Sequence, residues 1–134
     1  MEEKSFEGMK YLISCPEGFC ENKQYPLVVF LHGRGARDPS TEKLYKHPPL
    51  LQLQELQNQR GYILLAPHCA SYNWSAWVMP LISLLQHFRE LPWVDKTRIY
   101  LTGVSMGGYG AWELALLHPE WFAAAMPLCG GGIC

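Results

Sequence analysis

Residues 98–110 read Arg98-Ile99-Tyr100-Leu101-Thr102-Gly103-Val104-Ser105-Met106-Gly107-Gly108-Tyr109-Gly110. The first five read as a buried strand with the apolar Ile99-Tyr100-Leu101 at its centre. From Gly107 to Leu117 the residues suit a helix. Gly103-Val104-Ser105-Met106-Gly107, a G-x-S-x-G pentapeptide, sits on the junction. A serine raised on so sharp a turn takes a strained backbone, and side chains two residues to either side would collide. Glycine at 103 and 107 relieves that crowding, while Gly108 and Gly110 let the helix lie close to the sheet. The free N–H groups of the helix start face whatever sits above the serine. Ser105 is the candidate nucleophile, and the plainer alternative is a glycine-rich turn with an idle serine.

Working outward, Leu27–Leu31 and Tyr62–Ala66 are further continuous apolar runs, bounded by Pro26 and Gly33 and ended by Pro67. Phe122–Leu128 reads as a fourth core strand, and Tyr11–Cys15 as a short antiparallel one. Leu50, Leu53 and Leu56 recur at helical spacing until Gly61 stops them. Pro80 suits the first turn of a helix whose apolar stripe is Leu81, Leu84, Leu85 and Phe88. Strands alternating with helices at this spacing predict one α/β domain over residues 1–134, a three-layer α/β/α sandwich with a parallel core sheet.

Composition narrows the function. Of 134 residues, 49% are hydrophobic and 17% charged, which excludes a disordered chain. A net charge of −1 gives no global field for nucleic acid or an anionic membrane. The longest apolar run, Trp121–Cys129, is far shorter than the roughly 18 residues that a membrane span needs. The start, MEEKSFEG, lacks a basic-then-apolar signal pattern. A soluble, cytoplasmic protein is expected, without nucleic-acid partner or membrane insertion. Five cysteines suit a reducing compartment. Cys15 with Cys20 and Cys129 with Cys134 form two C-x4-C pairs, but neither has the tight knuckle of a zinc site. Scattered thiols are the expected reading, with no metal and no cofactor.

A second motif falls where the first needs it. His32-Gly33-Arg34-Gly35 follows the strand Leu27–Leu31, at the carboxyl end where parallel sheets gather ligands. Acyl transfer needs two backbone N–H groups aimed at the developing oxyanion. Met106, after the nucleophile, supplies one, and an H-G-x-G loop supplies the other, here from Arg34. A dinucleotide fingerprint would need a third glycine and a following apolar helix, where Pro39 and Ser40 stand instead.

From Tyr25 to Gly132 the chain resembles the first half of an α/β-hydrolase serine esterase. The branch it looks most like holds the bacterial predicted phospholipases and carboxylesterases related to polyhydroxybutyrate depolymerases. The resemblance is carried by YPLVVFLHGRG, by APHC after the second core strand, and by VDKTRIYLTGVSMGGYGAWELALLHPEWFAAAMPLCGGG. It implies an ester hydrolase with a small-molecule ester substrate, Ser105 as nucleophile, and Met106 and Arg34 as oxyanion donors. His32 would brace the loop. His68 stands where relatives often carry glutamine, and is expected as a pocket-wall residue or a partly exposed spectator. Trp74 and Trp77 are candidates for the acyl-pocket wall, and Trp112 and Trp121 for the core. Asp95 should make a side-chain-to-backbone turn with Thr97. Arg34 and Arg37 either sit solvated on the loop or meet an anionic head group.

The serine needs a base held by a third group, and in this fold the acid and then the histidine follow it in the chain. No Asp occurs beyond Asp95, and Glu113 and Glu120 belong to the helix after Ser105 or its end. His118 would lie more than three helical turns away, roughly 20 Å at about 1.5 Å per residue. His32 and His68 are the conceivable stand-ins, with Asp38 the sole nearby carboxylate. The expectation is thus the amino-terminal portion of a longer hydrolase, ending after the strand that follows the nucleophile helix. The alternatives are a catalytically inactive binding or interaction module, and a prolyl-oligopeptidase-type serine peptidase. The strand Phe122–Leu128 would be an unprotected edge, inviting self-association.

Overall fold

Strand β3 (Tyr25–Leu31) alternates its side chains between two hydrophobic layers. Leu27, Val29 and Leu31 enter one core, while Phe30 enters the other with Val28 at its margin. That double burial explains the unbroken apolar run. The computed structural model describes residues 1–129, so Cys134 of the second C-x4-C pair lies outside the described residues.

The other strands are β1 (Glu2–Phe6), β2 (Met9–Ser14), β4 (Ile63–Pro67), β5 (Val94–Val104) and β6 (Ala124–Leu128). They form one sheet in the order β1-β2-β4-β3-β5-β6. The four strands from β4 to β6 run parallel, and β2 and β1 add antiparallel pairs at one end. Leu27 pairs with Ile99 and Leu31 with Gly103, as the parallel-core reading requires. Helices α3 (Val78–Arg89) and α4 (Met106–Leu117) cover one face. The one-turn α1 (Glu42–Tyr45) and α2 (Pro48–Arg60) cover the other. The result is the expected α/β/α sandwich of the α/β-hydrolase type.

Gly61, at φ 69, closes α2 in the left-handed conformation as its position in the sequence suggests. Asp95 accepts from the Thr97 N–H at 2.9 Å and the Thr97 hydroxyl at 2.6 Å, making the predicted turn into β5.

Four features depart from the expectations. The acidic start forms a strand, because Glu7 (φ 48) and Gly8 (φ 84) turn it back onto β2 through a backbone ladder. Trp112 is 45% exposed rather than core. The buried side of α4 is made of Met106, Gly107, Gly108, Gly110, Ala111 and Leu114, and the next residue after Ala111 turns about 100° away. Trp121 does lie in the core, stacked on His118 at 3.9 Å. The fourth core strand is not a core strand, since Ala124, Ala125, Met126 and Leu128 are exposed. Gln57 rather than Leu56 is the buried residue of the last turns of α2. Its amide donates to the Ser14 carbonyl at 2.5 Å and the Tyr62 carbonyl at 3.0 Å, and its oxygen accepts from the Ser14 hydroxyl at 2.7 Å. A glutamine there satisfies backbone groups that a leucine would strand.

Candidate active site

Ser105 follows β5 and stands at the N-cap position of α4, with φ 55 and ψ −114. A serine in the left-handed region is uncommon and costs of order 1–3 kcal/mol, so the surrounding packing must hold it there. Two backbone hydrogen bonds and two close glycine approaches do so. The Ser105 N–H donates to the Leu128 carbonyl of β6 at 2.8 Å, and its carbonyl accepts from the Tyr109 N–H at 3.1 Å. A Cβ on Gly103 would collide with the Gly107 carbonyl, and one on Gly107 with the carbonyl of Leu31 in β3. Both glycines of the pentapeptide are therefore required by backbone contact, and Ser105 itself is left exposed.

Across from it runs the His32–Gly35 loop. A Cβ on Gly33 would stand 3.2 Å from the Val104 carbonyl and 3.7 Å from the Ser105 Cβ, so the loop lies directly against the elbow. Arg34 opens a single 3-10 turn in which Ala36 donates to Gly33 at 3.2 Å and Arg37 to Arg34 at 3.0 Å. The N–H of the first residue of such a turn, like that of Met106 at the head of α4, has no carbonyl within its own element. Arg34, Met106 and Ser105 line one cleft of about 620 Å³, together with Asn73, Trp74, Ser75, Tyr109 and Gly110. Tyr109 and the Asn73-Trp74-Ser75 turn were only partly foreseen. Trp74 was a candidate, whereas Tyr109, one helical turn beyond Ser105, was readable from its spacing.

His32 is fully buried and both ring nitrogens are engaged. Nδ1–H donates to the Gly33 carbonyl at 2.7 Å, and Nε2 accepts from the Cys69 N–H at 2.9 Å. Its carbonyl takes the indole N–H of Trp74 at 3.0 Å. The ring thus ties the His32–Gly35 loop to Cys69, just past β4, and to Trp74 of the cleft wall. Trp74 is itself buried, and a Cβ on Gly110 would come within 2.8 Å of it, so α4 accepts the indole only through a glycine.

The stand-in bases fail on geometry. A histidine with both nitrogens committed cannot take a proton from Ser105. His68 is buried against the His32 ring at 5.5 Å rather than partly exposed, because it follows β4 into the layer beneath the loop. Neither ring lines the Ser105 cleft. Asp38 orients no histidine: it accepts from the Ser40 N–H at 3.2 Å and pairs with Lys43 at 3.1 Å. Trp77 lies outside the cleft lining. Among the described residues, no His, Asp or Glu lines the cleft.

Burial pushes His32 from its ordinary 6.5 down to about 4, with His68 and His47 adding to the effect against the Gly33 carbonyl. Burial lowers His68 too. In the window between those values the unfolded chain binds the proton and the folded chain does not, so stability falls as pH drops. The full contribution is present above the ordinary value and is lost as pH falls through about 4. The shift corresponds to about 3 kcal/mol for His32. Urea unfolding at neutral pH and between pH 6 and 4 should show this slope, and His32→Gln should flatten it. An unchanged slope in the variant would show that the ring is not what titrates.

No family model matches the chain. It is 27% identical over 128 residues to a probable feruloyl esterase C of Aspergillus flavus, an alignment that takes in 92% of this chain and 47% of that one. The chain thus spans about half the length of the curated relatives it matches. Among solved structures, a thermostable esterase superposes with a TM-score of 0.81 at 32% identity, covering 98% of this chain and 41% of that one. Est1E from Butyrivibrio proteoclasticus superposes at 0.73 with 19% identity, over 94% and 49% of the two chains, which speaks for the fold alone. No helix of the described residues is long and apolar enough to cross a membrane. With its serine elbow and these likenesses, the chain has the α/β-hydrolase fold and is similar to esterases over the part of them that it spans.

Proposed function

We propose that this chain carries the nucleophile and oxyanion half of a carboxylic ester hydrolase that works through an acyl-enzyme on Ser105. The supporting observation is Ser105 held exposed at φ 55, with Met106 and Arg34 lining the same cleft. The Ser105 hydroxyl attacks the ester carbonyl carbon, and the carbonyl oxygen becomes an oxyanion that accepts from the Met106 and Arg34 N–H groups. Collapse expels the alcohol and leaves the acyl group on the serine, and water then releases the acid. The proton lost by Ser105 needs a base that no described cleft residue supplies. The relatives named feruloyl esterase and esterase support carboxylic esters as the substrate class. Intact-mass measurement after incubation with p-nitrophenyl acetate tests the reading: a slow, single acetyl adduct should form, and Ser105→Ala should abolish it. An adduct that survives the substitution would sink it.

The bare cleft also favours a second reading, a module that binds esters or partners without turning them over. The sheet edges bear on it. β1 carries Glu2, Glu3 and Lys4, charges that discourage a further strand. β6 carries only Ala, Met, Pro and Leu, and among the described residues it pairs on one side. A groove of about 340 Å³ runs beside it, walled by Phe30, Leu53, Leu56, Tyr100, Met126 and Leu128. We propose that a second copy of the chain covers this edge, the charged β1 edge making the asymmetry. Size-exclusion chromatography should show concentration-dependent association that Met126→Lys reduces. A monodisperse monomer at all concentrations would refute it.

A further inference from the structure

The two arginines of the oxyanion loop have different fates. Arg37 donates to the Tyr72 carbonyl at 2.6 Å and lies over the Tyr72 ring at 5.6 Å. Arg34 is exposed and lines the cleft beside Ser105, and among the described residues no ion pair or hydrogen bond engages its guanidinium. Every other lining residue is uncharged. The carboxylate in touch with the wall, Glu113, is bonded to the Ser75 hydroxyl at 2.5 Å. The cleft therefore presents one unspent positive charge, carried by the residue whose N–H faces the oxyanion.

Resting on the ester-site reading above, we infer that Arg34 makes the cleft select esters that carry a second, anionic carboxylate, such as monoesters of dicarboxylic acids. A guanidinium forms two parallel hydrogen bonds to a carboxylate, an arrangement that a neutral ester cannot use. Because Arg34 is exposed, water and salt weaken the pair, so the selection is modest rather than absolute. Its backbone N–H serves any ester, whereas its side chain serves only the anionic ones. One residue thus carries both a general and a selective function.

The experiment is binding, which needs no turnover. The full chain with labelled indole nitrogens is titrated with monomethyl glutarate and with dimethyl glutarate, following the Trp74 signal assigned by Trp74→Phe. The monoanion should bind about two- to fivefold more tightly at low salt, and about 0.5 M NaCl should remove most of that preference. Arg34→Gln should bring the ratio near one, Arg34→Lys should restore part of it, and Arg37→Gln should leave it intact. Equal affinities in the wild type would overturn the role of Arg34 alone. Loss of the preference in Arg37→Gln to the same degree as in Arg34→Gln would also overturn it, pointing to overall charge. If neither ester moves the Trp74 signal, the ester-site reading falls and this inference with it.

Discussion

Incubated alone with p-nitrophenyl acetate, the 134-residue chain is expected to turn over about 10⁴–10⁶ times more slowly than a serine esterase with its full catalytic set. Ser105 stands exposed on its elbow with Arg34 and Met106 lining the same cleft, so on the proposed reading the expected deficit has one source. A serine hydroxyl is a weak nucleophile until a base takes its proton as the bond forms. In this cleft the residues around Ser105 are Arg34, Asn73, Trp74, Ser75, Met106, Tyr109 and Gly110, and none is a histidine or carboxylate. His32 is locked between Gly33 and Cys69, and its depressed pKa reflects burial rather than readiness to act. Deprotonation then falls to water, and what survives is the oxyanion contribution. Measured rates for the chain and for Ser105→Ala should therefore be close, both slightly above the uncatalysed reaction. Fast turnover that vanishes in Ser105→Ala would overturn this and demand a base from outside the cleft lining.

Much of this was legible in the residues, for physical reasons that can be named. β3 and β4 announce themselves because a strand buried on both faces cannot afford polar alternation. β5, read as covered on both faces, buries Ile99, Leu101 and Gly103 but leaves Tyr100 exposed, so its apolar centre overstated its burial. The elbow is legible because the glycine constraint is steric and local, with Gly103 and Gly107 each meeting backbone. Strand β1 was hidden, since Glu2, Glu3 and Lys4 look like a solvated tail and are held by a ladder rather than by side-chain burial. Trp112 misled because α4 is apolar nearly all round, so hydrophobicity does not say which side faces the sheet. The small residues do: Gly107 meets the backbone of β3 and Gly110 the Trp74 side chain, and Gly108 and Ala111 are buried on the same side. His68 was misplaced because its burial depends on the loop folded over it, a contact made between segments far apart in the chain.

The glycine reading makes a prediction whose sign runs against intrinsic propensity. Gly107 lies in the first turn of α4, where alanine would ordinarily stabilise a helix by up to about 1 kcal/mol. Gly107→Ala is nevertheless expected to destabilise the chain by about 3 kcal/mol or more. The added methyl would overlap the Leu31 carbonyl and come within 2.8 Å of the His32 carbonyl. Both are backbone atoms of β3 and the oxyanion loop, so no rotamer change can make room. The helix must retreat from the sheet, and Ser105 and the Met106 N–H move with it. A loss of that size should lower the melting temperature by roughly 10 °C, as followed by circular dichroism. Gly35→Ala is the matched control, since a methyl there meets nothing within 4 Å. It should leave melting near the wild type. Equal melting of Gly107→Ala and the parent would mean that α4 does not press on β3 as described, and the account of the elbow would fall with it.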